Sequence, residues 1–237
     1  MKLIIHEIKK IKRSAILGIA TFLPLIAVLQ GAVERYSREG LSQWDSMFIN
    51  GMILYSWLIF PILITVVMAM LTRLEHANNG WKQILALPIS RGNLFLTKAF
   101  IGAIVILYSI VILMLGFIMV ALIKDISIPY QLIATRMLLI YVSALPIMTI
   151  LFYVGFTFSH VGVPLAIGAG LALPSMIVAN SETYWIMFPW TYPIITSLSS
   201  MFSEMVANLP LMYTISTIGS AVVLLAGYVQ FRSKDIV

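Results

Sequence analysis

Long apolar runs separated by short charged ones set the pattern of this chain. The stretches without a charged residue are 14–33, 46–72, 99–123, 137–181, 183–203 and 205–231. A membrane-crossing helix needs about 20 apolar residues. The 45-residue-scale window 137–181 is therefore too long for one crossing and predicts two helices. The break falls where Phe158, Ser159, His160, Gly162 and Pro164 gather turn-forming and polar residues. The window 183–203 has the length to cross. However, Pro189 and Pro193 interrupt it, and Tyr184, Trp185, Trp190 and Tyr192 give it the composition of an interfacial belt.

The cations decide that doubtful window. With six crossings and both termini inside, the inner side holds eleven of the fifteen Lys and Arg. The outer side holds only Arg35, Arg38, Lys124 and Arg136. A seventh crossing would carry Arg232 and Lys234 outside and weaken the inward bias that sets topology. The expected fold is thus an all-α integral membrane protein, a single transmembrane domain spanning 1–237. Its six spans are 14–33, 46–72, 99–123, 137–158, 162–179 and 205–231, with a broken outer re-entrant segment over 180–204. Such backbone is tolerated at membrane depth only under protein cover.

Residues 1–13 have their own periodicity. Ile4, Ile8, Ile11 and Ala15 share one helical face, and Lys2, His6, Lys9, Lys10 and Arg13 lie largely on the other. That predicts an amphipathic elbow on the membrane surface, with Lys9, Lys10, Lys12 and Arg13 at the headgroups. The fifth span repeats small residues at four-residue spacing, Gly162/Ala166/Gly170 and Gly168/Ala172, which lets helix backbones approach closely. A subunit interface and ordinary packing within the chain both fit.

Composition agrees. Of 237 residues 61% are hydrophobic and 10% charged, and mean hydropathy is +1.01. Soluble domains carry about 25% charged residues. The net charge of +6 marks the ends of apolar runs, so no nucleic-acid partner is expected. The absence of cysteine excludes disulfides and thiolate metal sites.

Candidate chemistry is sparse. There is no GxxxxGK[ST] phosphate loop, so the chain does not cradle nucleotide by that route. His6, His76 and His160 lack partners at ligand spacing, and Ser159-His160 has neither an orienting acid nor a G-x-S-x-G turn. No catalytic residue, metal or cofactor is expected in this chain. Within the spans only Arg136 is a candidate functional charge, and it lies near enough to the outer boundary to snorkel. Glu182 and Glu204 bracket the outer aromatic segment and, with Trp185 and Trp190, form a possible outer gate. The acids read equally as solvated segment ends.

The polar chemistry concentrates in residues 73–98, RLEHANNGWKQILALPISRGNLFLTK. Glu75, then Trp81-Lys82, then Leu87-Pro88-Ile89-Ser90-Arg91, then Lys98 entering the next helix, resemble the permease subunits of type-2 ABC exporters. The lantibiotic-immunity and bacitracin-resistance group is especially similar. The ending Phe231-Arg232-Ser233-Lys234-Asp235-Ile236 resembles that group's close. The resemblance implies a cytoplasmic coupling helix between spans two and three that enters a cleft on a separate ABC ATPase subunit, where ATP and Mg are held. It further implies a second permease, the same chain or a sister. Trp81, Ile84 and Leu85 would be the apolar anchors, and Arg73, Glu75 and Lys82 would set register. Pro88 would end the helix and Ser90 cap the next, with Arg91 just beyond. A plain interfacial anchor is the alternative for Trp81-Lys82.

The expected function is export of amphipathic or antimicrobial peptides of lantibiotic type by a multi-pass protein of the cell membrane with both termini cytoplasmic. The same architecture fits a peptide toxin, a lipid-linked sugar or a drug as cargo. A membrane scaffold or sensor that transports nothing is a reading from another class.

Overall fold

The computed structural model describes residues 7, 10, 14–33, 40–76, 90–158 and 160–233; the side chains of residues 74–76, 203 and 233 are not described. Every long element is helical, and no strand occurs among the described residues. Apolar sequence with no water to satisfy its backbone has few alternatives to helix. In chain order the helices are α1 (Ile16–Val33), α2 (Gln43–Leu54), a π-helical turn (Tyr55–Ile59), α3 (Phe60–His76), α4 (Arg91–Ile123), α5 (Tyr130–Thr157) and α6 (Gly162–Ala179). Two 3-10 turns (Trp185–Met187 and Pro189–Thr191), the six-residue α7 (Tyr192–Ser197), a third 3-10 turn (Ser203–Asn208) and α8 (Leu209–Ser233) complete the chain. Six helical stretches are long and apolar enough to cross a membrane, α2 and α3 counting together as one of them.

Several helices extend past the charge-free windows. α4 begins at Arg91, so Lys98 lies two turns inside it rather than at its start. α5 begins at Tyr130 and carries Arg136 within it. Counting charges as boundaries shortens any span whose charged side chain is paired internally, and both of these are. The capping signals are local. Ser90 accepts from the Asn93 amide at 3.3 Å to start α4, and Ser42 accepts from the Asp45 amide at 3.0 Å to start α2.

The second crossing changes pitch at Tyr55–Ile59, ending two residues before Pro61. Proline has no N–H to offer the carbonyl of Trp57, so the regular ladder opens there into a wider turn. The Trp57 indole donates to the Leu173 carbonyl of α6 at 3.3 Å, tying this turn to a neighbouring helix.

The two small-residue stripes of α6 part company. A methyl on Gly168 would run into the Thr65 hydroxyl of α3, and Ala172 is fully buried. Gly162, Ala166 and Gly170 are exposed, so that stripe faces away from the chain. The Gly168/Ala172 stripe is packing within the chain.

The segment between α6 and α8 contains no crossing helix. It closes on itself through side-chain bonds to its own carbonyls. The Thr191 hydroxyl donates to the Trp185 carbonyl at 2.7 Å, and the Tyr192 hydroxyl donates to the Ile186 carbonyl at 2.6 Å. The Trp190 indole donates to the Gly168 carbonyl at 3.2 Å. This broken backbone has the protein cover that such segments require.

A close approach of backbone to backbone joins α1 to α2. A methyl built on Gly51 would lie 2.5 Å from both the Ala27 carbonyl oxygen and the Phe117 ring. A backbone atom cannot swing aside, and overpacking typically costs about 1–3 kcal/mol. Gly51→Ala should therefore lower the melting temperature of the detergent-purified chain. Gly170→Ala, which meets nothing within 4 Å, should leave it unchanged or raise it. Equal melting of the two variants would refute the close contact.

Candidate functional site

Glu7, Leu71 of α3, Lys98 of α4 and Phe231 of α8 lie toward one end of the bundle. Among the described residues, three charged side chains meet there. Lys98 of α4 is 0% exposed, and its ammonium donates to Glu7 Oε2 at 2.8 Å and to the Leu71 carbonyl of α3 at 3.2 Å. Glu7, 3% exposed, also receives Lys10 Nζ on its other oxygen at 2.9 Å. Burial pushes the Glu7 carboxyl up. The Lys98 charge and hydrogen bonds from Lys10 and Lys98 outweigh it and hold Glu7 below its ordinary value of 4.5.

An aromatic cluster lies one turn of α4 away. The Phe95 ring lies 5.0 Å from Phe152, 5.1 Å from Phe156 and 6.0 Å from Phe231. Phe156 meets Phe231 edge-on at 5.0 Å. Such pairs add about 0.5–1.5 kcal/mol beyond the area they bury. The start of α4, the end of α5 and the end of α8 are thus held as one block. A displacement of α4's first turns is passed to both other helices.

The residues singled out in the sequence fall around this block unevenly. Arg73 is exposed in the last turn of α3, and Glu75 is the next-to-last residue of that helix. Arg91 is half-buried at the first position of α4. Of the elbow cations, Lys10 joins the ion-pair cluster. Lys9, Lys12 and Arg13 lie outside the described residues, as do Trp81, Lys82, Ile84, Leu85 and Pro88. Sequence reasoning missed Glu7, because it read the elbow's polar face as uniformly basic. The available signal was a single acid three residues before Lys10, together with a lysine two turns inside an apolar helix.

At the opposite end Arg136 is about one-third exposed and pairs with a carboxylate. Its guanidinium donates to Asp45 Oδ1 at 2.8 Å and lies 5.2 Å above the centre of the Phe48 ring. Asp45 was also missed, since it lies just outside a charge-free window. Glu182 and Glu204 are exposed, whereas Trp185 and Trp190 are buried, so the acids and indoles face different surroundings. Among the described residues no group of His, Asp or Glu could hold a metal ion.

A family model described as ABC-2 family transporter protein matches residues 3–175. The chain belongs to that family. As an ABC-2 family protein with six crossing helices it is a multi-pass membrane component, a permease subunit of an ABC transporter, and its family implies partnership with an ATPase subunit. The match covers both the buried ion pair and the whole 73–98 stretch. Comparison with curated proteins and with solved structures returned no match.

Removing one partner of a buried pair leaves the other charge uncompensated and typically costs about 3–5 kcal/mol. Lys98→Met should therefore lower the melting temperature sharply, and the double variant Glu7→Leu/Lys98→Met should recover most of the loss. Because folding lowers the Glu7 value, the stability it contributes is complete above the ordinary carboxylate value and drains away as pH falls below about 4.5. Thermal melts between pH 7 and pH 3.5 should show this decline in the wild type and a shallower one in Glu7→Gln.

Proposed function

We propose that this ABC-2 permease belongs to an ATP-driven exporter that expels amphipathic or antimicrobial peptides of lantibiotic type from the membrane. The end bearing the ion-pair cluster faces the cytoplasm, as the cation bias requires. Residues 73–98 hold the coupling helix, and a partner subunit binds ATP and Mg. A second permease, the same chain or a sister, completes the translocation unit.

The observation that carries the coupling reading is the position of Lys98. One ammonium binds α3 through the Leu71 carbonyl and the N-terminal segment through Glu7, while its own backbone belongs to α4. The two borders of the proposed coupling segment are pinned to each other and to the elbow. A push on residues 77–89 would be taken up by α3 and α4, which the bond from Lys98 to Leu71 joins. It must move α3 and α4 together, and the Phe95 cluster carries that motion to α5 and α8. The long-range lever is packed side chains with few alternative arrangements. Trp81, Ile84 and Leu85 supply apolar anchors to the ATPase cleft, with Arg73, Glu75, Lys82 and Arg91 around them setting register. The peptide cargo is supported by the resemblance of the Trp81-Lys82 and Leu87–Arg91 motifs.

An aromatic anchor at an interface is commonly worth about 2 kcal/mol or more. Trp81→Ala should therefore cut co-purification of the ATPase by about tenfold or more. In cells the same variant should lose protection against a lantibiotic while its membrane level stays at wild type. Intact association and intact protection would remove the coupling assignment. Intact association with no peptide-stimulated ATP hydrolysis in the reconstituted wild-type complex would remove the peptide cargo.

A further inference from the structure

At the end of the bundle opposite the ion-pair cluster, a cavity of about 220 Å³ opens between α2, α5, α7 and the start of α8. Its polar lining includes Asp45, Arg136, Thr196, Ser197 and Tyr213, and Phe48, Leu139 and Leu209 are among its apolar walls. From these we infer that the cavity is a binding site for the headgroup of a zwitterionic phospholipid bearing a primary amine.

The charge of the site selects the ligand class. Asp45 and Arg136 are paired at 2.8 Å and about one-third exposed, so the cavity presents one anion and one cation with no net charge. A ligand of net charge would leave one charge uncompensated in a confined place, which is costly. A zwitterion meets both. Asp45 Oδ2 accepts from Ser42 at 2.7 Å and Oδ1 from Arg136. A carboxylate has about four lone-pair positions, so each oxygen can still accept from an ammonium. Arg136 uses Nη2 toward Asp45, and a guanidinium has five N–H donors in all, which leaves donors for a phosphate.

The hydroxyls point the same way. Ser197 Oγ is in the cavity lining, its residue is 7% exposed, and it has no hydrogen-bond partner among the described residues. A buried hydroxyl without a protein partner is uncommon, and it is open to a polar group entering the cavity. Ser199 and Ser200 line the same cavity, so phosphate oxygens would find hydroxyl donors beside the guanidinium.

Size and surroundings favour a lipid headgroup over a whole peptide. Sites for drug-sized ligands run about 300–1,000 Å³, and this cavity is smaller. Leu139 and Leu209 give the cavity apolar walls, and it lies at the end of a bundle of membrane-crossing helices, the depth at which lipid headgroups sit. A primary ammonium offers three N–H donors to Asp45, whereas a quaternary one offers none and prefers open aromatic faces. The Phe48 face is already covered by Arg136. Phosphatidylethanolamine should therefore bind, and phosphatidylcholine and phosphatidylglycerol should not compete.

Native mass spectrometry of the detergent-purified full chain, titrated with each of the three lipids, tests this. The expected result is binding of phosphatidylethanolamine at least about tenfold tighter than either other lipid, reduced about tenfold by Arg136→Gln. Ser197→Ala, a change too small to threaten the fold, should weaken it several-fold, with melting temperature as the check on both variants. Soluble glycerophosphoethanolamine should displace the lipid. Equal binding of the three lipids, or wild-type affinity in Ser197→Ala, would overturn the inference. So would a site that binds the soluble headgroup but takes up no phosphatidylethanolamine. Nisin binding that Arg136→Gln abolishes while phosphatidylethanolamine adducts persist would assign the cavity to cargo instead. The measurement requires neither ATPase nor transport, so its outcome is separate from that of the export reading.

Discussion

A charge in an apolar helix must be neutralised by a partner within reach, and this requirement organises both ends of the bundle. Lys98 is enclosed within the packed chain, so its ammonium draws in Glu7 from 91 residues away and the last turns of α3. Arg136 does the same with Asp45, also at a separation of 91 residues. Each pair fastens helices that apolar packing alone would leave free to slide. Leucine against leucine has many nearly equivalent registers, whereas an ion pair has one.

The two pairs differ in what their surroundings allow. The Glu7–Lys98 pair is closed off, reinforced by Lys10 and set beside a block of phenylalanines. That arrangement resists change and transmits displacement. The Asp45–Arg136 pair is partly open and borders a cavity with an unpartnered hydroxyl. That arrangement leaves donors and acceptors to spare. A rigid joint at one end and an accommodating site at the other suit a membrane subunit whose ABC-2 family implies that its energy comes from another chain.

Much of this was legible in the sequence because the bilayer permits few structures. Windows without charge and a count of cations gave six crossings and placed a broken segment after the fifth. The prolines and aromatics of 183–203 argued correctly against a crossing helix there. What escaped were the long-range pairings. Nothing local to Glu7 says that it belongs with Lys98, and treating Lys98 and Arg136 as boundaries hid that both lie inside helices. The aromatic residue at Phe231 was noticed only as part of a terminal motif. Its contacts with Phe95 and Phe156 depend on three helices converging, which no periodicity encodes. Trp81, Ile84 and Leu85, proposed as anchors, lie outside the described residues and rest on the sequence.

The π-helical turn at Tyr55–Ile59 also bears on how this chain can change over time. An ordinary helix loses about 100° of phase when one residue is removed, which would turn every downstream side chain of the crossing to a new neighbour. A π turn holds one residue more than an α turn needs, so a single deletion there could close it into regular helix with both flanks in place. Trp57, bonded to Leu173, lies within this spare length. The second crossing therefore carries a built-in tolerance for length variation midway between Asp45 and Arg73. Insertions and deletions among relatives should collect at that point and be rare in the helices on either side.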